Sequence, residues 1–182
     1  MSDKMQAIIN ELPNKLFKAR KENISYFKRL KKRAPKNIDY IVQDLHDKEF
    51  EKTDCLTCGN CCKTTSPMFF PKDIERAAKF LRIKEQKFME TYLERDEDDC
   101  YVLKSAPCTF LDERDNMCMI YEARPKACAE YPHTNRKKFT QLTDLTLKNA
   151  EICPAAYNII ETLKQVVPMS TDSTSEKFRK YK

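Results

Sequence analysis

The stretch Cys55-Leu56-Thr57-Cys58-Gly59-Asn60-Cys61-Cys62 constrains this chain more than any other. Four thiols fall within eight residues, and they enclose the only glycine among 182. Thiolates this dense in a reducing compartment hold a metal ion or an iron–sulfur cluster. Several sulfurs can aim at one centre only if the backbone folds back sharply. Gly59 is placed to supply a positive φ at little steric cost, and it lets amide N–H groups approach the sulfurs. Free cysteines packed as small apolar groups do not call for this spacing.

The remaining cysteines extend the pattern. Cys108, Cys118, Cys128 and Cys153 follow at long intervals, and Cys100 stands apart. Cys55, Cys58 and Cys61 reproduce the first three ligands of a bacterial ferredoxin run. Cys153-Pro154 offers the cysteine–proline pair of such a run's fourth ligand. Cys61 and Cys62 are adjacent, so their side chains are expected to diverge and to serve one centre each. Eight thiols then divide into two four-ligand sets, suited to two zinc ions or to one cluster with one zinc. Soft thiolate donors select zinc or iron–sulfur over calcium or magnesium. The metal ligands expected are therefore Cys55, Cys58, Cys61, Cys62, Cys108, Cys118, Cys128 and Cys153. The triplet favours an iron–sulfur cluster, 4Fe-4S in type, over zinc. Cys100 follows Asp96-Glu97-Asp98-Asp99, whose charge disfavours a thiolate, and it is the odd thiol of the nine.

Composition sets the frame for that site. Apolar residues make up 41 % and charged residues 34 %, with no tryptophan. The core is modest, and metal cross-links would support it. The start of the chain shows no apolar signal region, and no apolar run is long enough for a membrane span. A cytoplasmic protein is expected, one in which a content of nine cysteines points to metal rather than disulfides. A net charge of +6 does not by itself imply nucleic acid.

Hydrophobic periodicity organises the chain into a basic helical extension (1–36), a cysteine-cluster domain (37–167) and a disordered tail (168–182). Between Lys15 and Lys36 stand ten Lys or Arg and one acid, Glu22. Leu16, Ala19, Ile24, Phe27 and Leu30 recur near helical spacing. The basic run reads first as a solvated face whose apolar stripe packs on the domain. The alternative is a contact for nucleic acid or an anionic surface through residues 15–36. A second helix is expected over 37–50, carrying His46 late in its length. Pro71-Lys72-Asp73-Ile74 opens a third, with Ile74, Ala77, Ala78 and Leu81 inward. Another is predicted over 84–95. The carboxylates from Glu94 to Asp99 read as a solvated loop.

Strands are predicted at 101–103, 108–111 and 117–121, with 112–116 as a turn, so that one hairpin carries Cys108 and Cys118. Residues 136–150 read as a link, and a helix is expected over 149–167. The fold class is mainly α with a small β-hairpin, a compact cysteine-ligated domain with an N-terminal basic helix.

Taken together, the cysteine run, Pro71-Lys72-Asp73-Ile74, Pro107-Cys108, Cys118-Met-Ile-Tyr121, Arg124-Pro125-Lys-Ala-Cys128, Tyr131-Pro132-His133 and Cys153-Pro154 resemble the YkgJ-type cysteine-cluster family. That resemblance spans roughly residues 40–165 and implies zinc or iron–sulfur binding without an assigned reaction. Flagellin lysine N-methylases share the cysteine cluster, and a cluster-dependent enzyme is one alternative. This chain is much shorter than those enzymes and lacks a glycine-rich loop for S-adenosylmethionine. A nucleic-acid-binding module with structural zinc is the other alternative. For any catalysis the candidates are Asp73, Arg124, Tyr131 and His133. Their plainer roles are a helix-start charge, an ion-pair partner, a core ring and a surface cap.

Overall fold

A computed structural model describes residues 3–169. The tail expected to be disordered lies, from residue 170 onward, outside the described residues. In chain order the helices are α1 (Asp3–Arg33), α2 (Ile38–Phe50), α3 (Cys55–Cys58), α4 (Asn60–Thr64), α5 (Pro71–Phe80) and α6 (Glu85–Tyr92). Strands β1 (Leu93–Arg95), β2 (Tyr101–Leu103), β3 (Leu111–Asp112) and β4 (Met117–Cys118) follow. The helices α7 (Lys126–Ala129), α8 (Thr143–Ala150) and α9 (Pro154–Val166) come last. The fold is mainly helical with two short antiparallel strand pairs, β1–β2 and β3–β4. No helix among the described residues is long and apolar enough to cross a membrane.

The chain divides into two compact units. One combines the start of α1, through Asn10, with Asp54–His133. The other combines Glu11–Thr53 with the chain from Thr134 onward. The division falls inside α1, three residues before Pro13. Pro13 has no N–H to donate to the carbonyl four residues earlier, which weakens the helix locally.

In the second unit, Tyr26, Phe27 and Leu30 of α1 pack with Ile38, Ile41 and Val42 of α2, with Phe139, and with Ile159, Ile160 and Leu163 of α9. The Tyr26 hydroxyl donates to the carbonyls of Leu163 (3.2 Å) and Val167 (3.0 Å) at the end of α9, where the Leu163 carbonyl also accepts from Val167 N–H at 2.9 Å. Burial holds its phenol well above the ordinary range. One member of the predicted stripe behaves differently. Phe27 and Leu30 are buried, but Ile24 faces solvent and Asn23 takes the inward position. Asn23, Phe27 and Leu30 follow the three-to-four-residue helical step from Leu16, whereas Ile24 falls off that line. Lys18, Arg20, Lys21, Lys28 and Lys32 stay exposed along the other face.

Asp39 does not cap its own helix. Its two oxygens accept from the backbone N–H groups of Lys138 (2.7 Å) and Phe139 (2.9 Å). This pins the 3-10 turn at Phe139–Gln141 and seats Phe139 in the core. Residues 136–150 are therefore more than a link, since α8 occupies their second half. The helix expected over 149–167 starts later, at Pro154, because proline fits the first helical position and not a helix interior.

The first unit has a smaller core, built on Phe69, Ile74, Ala77, Ala78, Phe88, Leu103, Phe110 and Ile120. Phe88 stacks parallel to Phe110 at 6.2 Å and meets Phe69 and Tyr92 edge-on or tilted. The helix predicted over 84–95 ends at Tyr92. Leu93–Arg95 instead pairs with Tyr101–Leu103, with Leu93 opposite Leu103. The acidic loop at 96–100 is the turn of this first hairpin. A second hairpin sets Leu111 opposite Cys118 and Asp112 opposite Met117. Cys118 lies on β4 as expected. Cys108 lies in the turn before β3, not on a strand, because Leu111 N–H closes back onto the Cys108 carbonyl at 3.0 Å.

Candidate metal centre

Two single-turn helices meet at Gly59. Asp54 caps the first, its Oδ1 accepting from Leu56 N–H at 2.9 Å. Gly59 ends that turn with φ +57° and donates its N–H to the Cys55 carbonyl at 2.8 Å. The second turn, α4, starts at once. Cys55 and Cys58 thus ride on one turn, and Cys61 and Cys62 on the next.

Asn116 holds this knuckle from outside. It sits in the β3–β4 turn with φ +58°, a conformation asparagine tolerates better than most residues. Its Nδ2 donates to the Leu56 carbonyl at 2.6 Å. A Cβ at position 59 would lie 2.8 Å from Asn116 Cγ and Oδ1. The glycine is therefore required twice, for its dihedral and for the space Asn116 fills. Asn116 Oδ1 is buried and accepts no hydrogen bond among the described residues. The sequence places 112–116 in a turn but does not show this role. The available signal was an asparagine at the end of an Asp-rich turn, where a left-handed residue is expected.

The other sulfurs gather on Cys62. Cys108 N–H donates to the Cys62 carbonyl at 2.8 Å. The Cys61 thiol hydrogen-bonds Cys62, which lowers the Cys62 thiol against the opposing effect of burial, and Lys63 adds to the lowering. The adjacent side chains therefore meet instead of diverging. Successive residues of a helix are rotated by only about 100°, so two long C–S bonds can still converge.

Cys108 is pushed up to about 11, chiefly by burial, with Cys62 and Cys118 contributing. Cys128 keeps much of its surface open. It is nonetheless pushed up to about 12 by desolvation, and then by the negative fields of Cys62, Cys108 and Cys118. Burial likewise raises Cys55, Cys58 and Cys118, and each of them also feels Cys62. Arg124 acts the other way, lowering Cys118 and Cys128. Thiols crowded so that their thiolate forms would repel one another are what a bound cation would hold deprotonated.

Two cysteines lie elsewhere. Cys100 closes the β1–β2 turn, with its N–H on Asp96 Oδ1 at 2.9 Å and its Sγ 3.7 Å from the Asp98 carbonyl. Cys153 belongs to the second unit, immediately before α9. His46 is also in that unit, half-buried, with Nδ1 2.7 Å from Thr134 Oγ1.

The polar candidates of the first unit have structural partners. Asp73 is 3 % exposed and accepts from Phe70 N–H (3.0 Å), Arg76 Nη2 (2.6 Å) and Lys126 N–H (3.1 Å). Arg124 lies over the Tyr121 ring at 3.7 Å. Tyr131 precedes a cis proline, and its ring meets His133 edge-on at 6.1 Å. His133 Nδ1 stands 3.9 Å from Glu130.

The donor chemistry of the first unit fits a soft metal: seven cysteines, Cys55, Cys58, Cys61, Cys62, Cys108, Cys118 and Cys128, in one small body. The geometry is gathered rather than closed. No group of three or more His, Cys, Asp or Glu side chains among the described residues is already set to hold a metal ion. Metal sites commonly close only as the ion binds.

Residues 54–154 match the family described as CxxCxxCC, putative zinc- or iron-chelating domain. No solved structure matches the chain. The match begins at the residue that caps the cysteine knuckle and ends at the proline after Cys153, covering more than half of the sequence, and on that ground the chain belongs to the CxxCxxCC family of zinc- or iron-chelating domains.

Proposed function

We propose that this protein chelates an iron–sulfur cluster through the thiols gathered on Cys62, and that chelation rather than a reaction of its own is its function. One observation carries the reading. Cys61 hydrogen-bonds Cys62, and the negative field of Cys62 reaches Cys55, Cys58, Cys108, Cys118 and Cys128. The ferredoxin-like spacing of Cys55, Cys58 and Cys61 favours iron–sulfur over zinc. A bound cluster would supply electron transfer or a firm cross-link. Around it, Asn116 keeps the knuckle shut, Gly59 gives the sharp reversal, and Arg124 offsets negative charge at Cys118 and Cys128. Because most of these thiols start protonated, loading the site releases protons, and affinity falls as pH falls.

The test is elemental analysis with a visible spectrum on anaerobically purified full-length protein. The expected result is iron and acid-labile sulfide with broad visible absorption. Each of Cys55→Ser, Cys58→Ser, Cys61→Ser, Cys62→Ser, Cys108→Ser, Cys118→Ser and Cys128→Ser should lower the metal content. Cys153→Ser decides whether the eighth predicted ligand belongs to the set. Colourless protein with stoichiometric zinc overturns the cluster and keeps chelation. Protein that takes up neither metal overturns both.

A further inference from the structure

Beside the thiols, the same unit holds a cleft whose lining contains no cysteine among the described residues. Its volume is about 900 Å³, within the roughly 300–1,000 Å³ of small-molecule sites. A buried carboxylate builds its wall. Asp73 joins the start of α5 to the start of α7 through Phe70 N–H and Lys126 N–H. Arg76 Nη2 bonds both Asp73 Oδ1 and, at 2.7 Å, the Arg124 carbonyl. Arg124 is steadied in turn by its stacking on Tyr121 and by donation from Nη1 to the Tyr121 carbonyl at 3.0 Å. Each guanidinium carries five N–H donors, more than these bonds consume.

The charge in the cleft is one-sided. Lys72, Arg76, Arg124 and Lys126 line it against Asp73 and Glu122. Asp73 already serves three donors, and Lys126 also reaches Glu130 at 3.5 Å. Lys72 is exposed. Two aromatic rings complete the lining. Phe70 is 51 % and Tyr121 54 % exposed, so flat apolar surface stands open to water beside the cations.

We propose that this cleft binds a small aromatic phosphate monoester, its dianion on Arg124 and Lys72 and its ring against Phe70. Planar guanidinium forks and several cations suit a group with nearly two negative charges and three acceptor oxygens better than a carboxylate. The volume suits a small molecule. The proposal is independent of which metal the thiols bind, because no cysteine lines the cleft among the described residues.

The experiment titrates the purified full-length protein with phenyl phosphate, followed by calorimetry and by amide chemical shifts. Inorganic phosphate, benzoate and benzyl alcohol are run in parallel. Phenyl phosphate is expected to saturate, with shifts centred on residues 70–76 and 121–129. Benzoate should bind about tenfold more weakly, and benzyl alcohol should not saturate. Lys72→Gln and Arg124→Gln should each weaken phenyl phosphate about tenfold, the effect of losing one charge-assisted contact. Lys72→Gln is at the surface and leaves the fold intact. Phe70→Ala should weaken phenyl phosphate and leave inorganic phosphate unchanged. Shifts that do not saturate at these residues overturn the proposal. So does equal binding of benzoate, or an affinity for phenyl phosphate unchanged in Lys72→Gln.

Discussion

The second unit is closed by long helices that bury Phe27, Leu30, Val42, Phe139, Ile159, Ile160 and Leu163 against one another. The first unit has longer loops, two hairpins of two to three residues per strand, and a small aromatic cluster around Phe88. Hairpins that short are marginal by themselves. Much of the first unit's chain, from Asp54 to Thr65 and from Ser105 to Cys128, instead carries thiols. The two units therefore draw stability from different sources. One uses apolar area, at about 1.5–3 kcal/mol for each large side chain fully buried. The other has fewer such side chains and places cysteines where a core would otherwise continue.

Metal removal should break that comparison most strongly. Strong chelation under reducing conditions is expected to expose the amides of residues 54–65 and 105–128 to hydrogen exchange, while those of α2 and α9 keep their protection. Thiolate sites contribute folding free energy directly, several kcal/mol in small domains. Equal protection in both units before and after chelation would mean that the thiols are peripheral to stability.

A smaller effect is expected at the knuckle. Gly59→Val forces a β-branched residue to φ +57° and drives its Cβ into Asn116. Backbone strain of about 1–3 kcal/mol follows, before the lost Asn116 bond to Leu56 is counted. The measurement is metal per chain together with the denaturant midpoint. Asn116→Ala should relieve part of the loss in the double variant, because it removes the atoms that the new Cβ meets. Normal metal content in Gly59→Val would show that the knuckle does not need this reversal.

The smallest effect sharpens the comparison from the other side. Cys100 sits in the first unit but belongs to the β1–β2 turn, held by Asp96 and Asp98. Cys100→Ser should leave metal stoichiometry unchanged and alter stability by less than about 0.5 kcal/mol, as for a surface position. A metal loss like that of Cys58→Ser would place Cys100 among the ligands.

Much of this protein was legible from local chemistry. The glycine among four cysteines pointed to a reversal at positive φ, and Gly59 has one. Pro71 with Asp73 marked a helix start, and α5 begins there. These features depend on residues within one turn of each other, and such dihedral and capping preferences act before any tertiary contact forms. The mistakes fall where a distant partner overrides a local preference. Leu93–Arg95 continues a helical pattern, yet it pairs with Tyr101–Leu103 because the backbone donors past Tyr92 find a ladder there. Asp39 stands in the first turn of α2, yet its oxygens accept from the amides of residues 138 and 139.

The sequence by itself determined the class of site, because thiolate density and spacing are chemical facts that survive without coordinates. It also determined the backbone reversal that the site needs. Packing decided instead that Asn116 holds Gly59 in place and that Asp73 ties α5 to α7. Each of those is a contact in which a side chain meets an atom other than those its sequence neighbours predict. Partners separated by tens of residues are brought together by packing of the whole unit, a cooperative outcome that no local window of residues encodes.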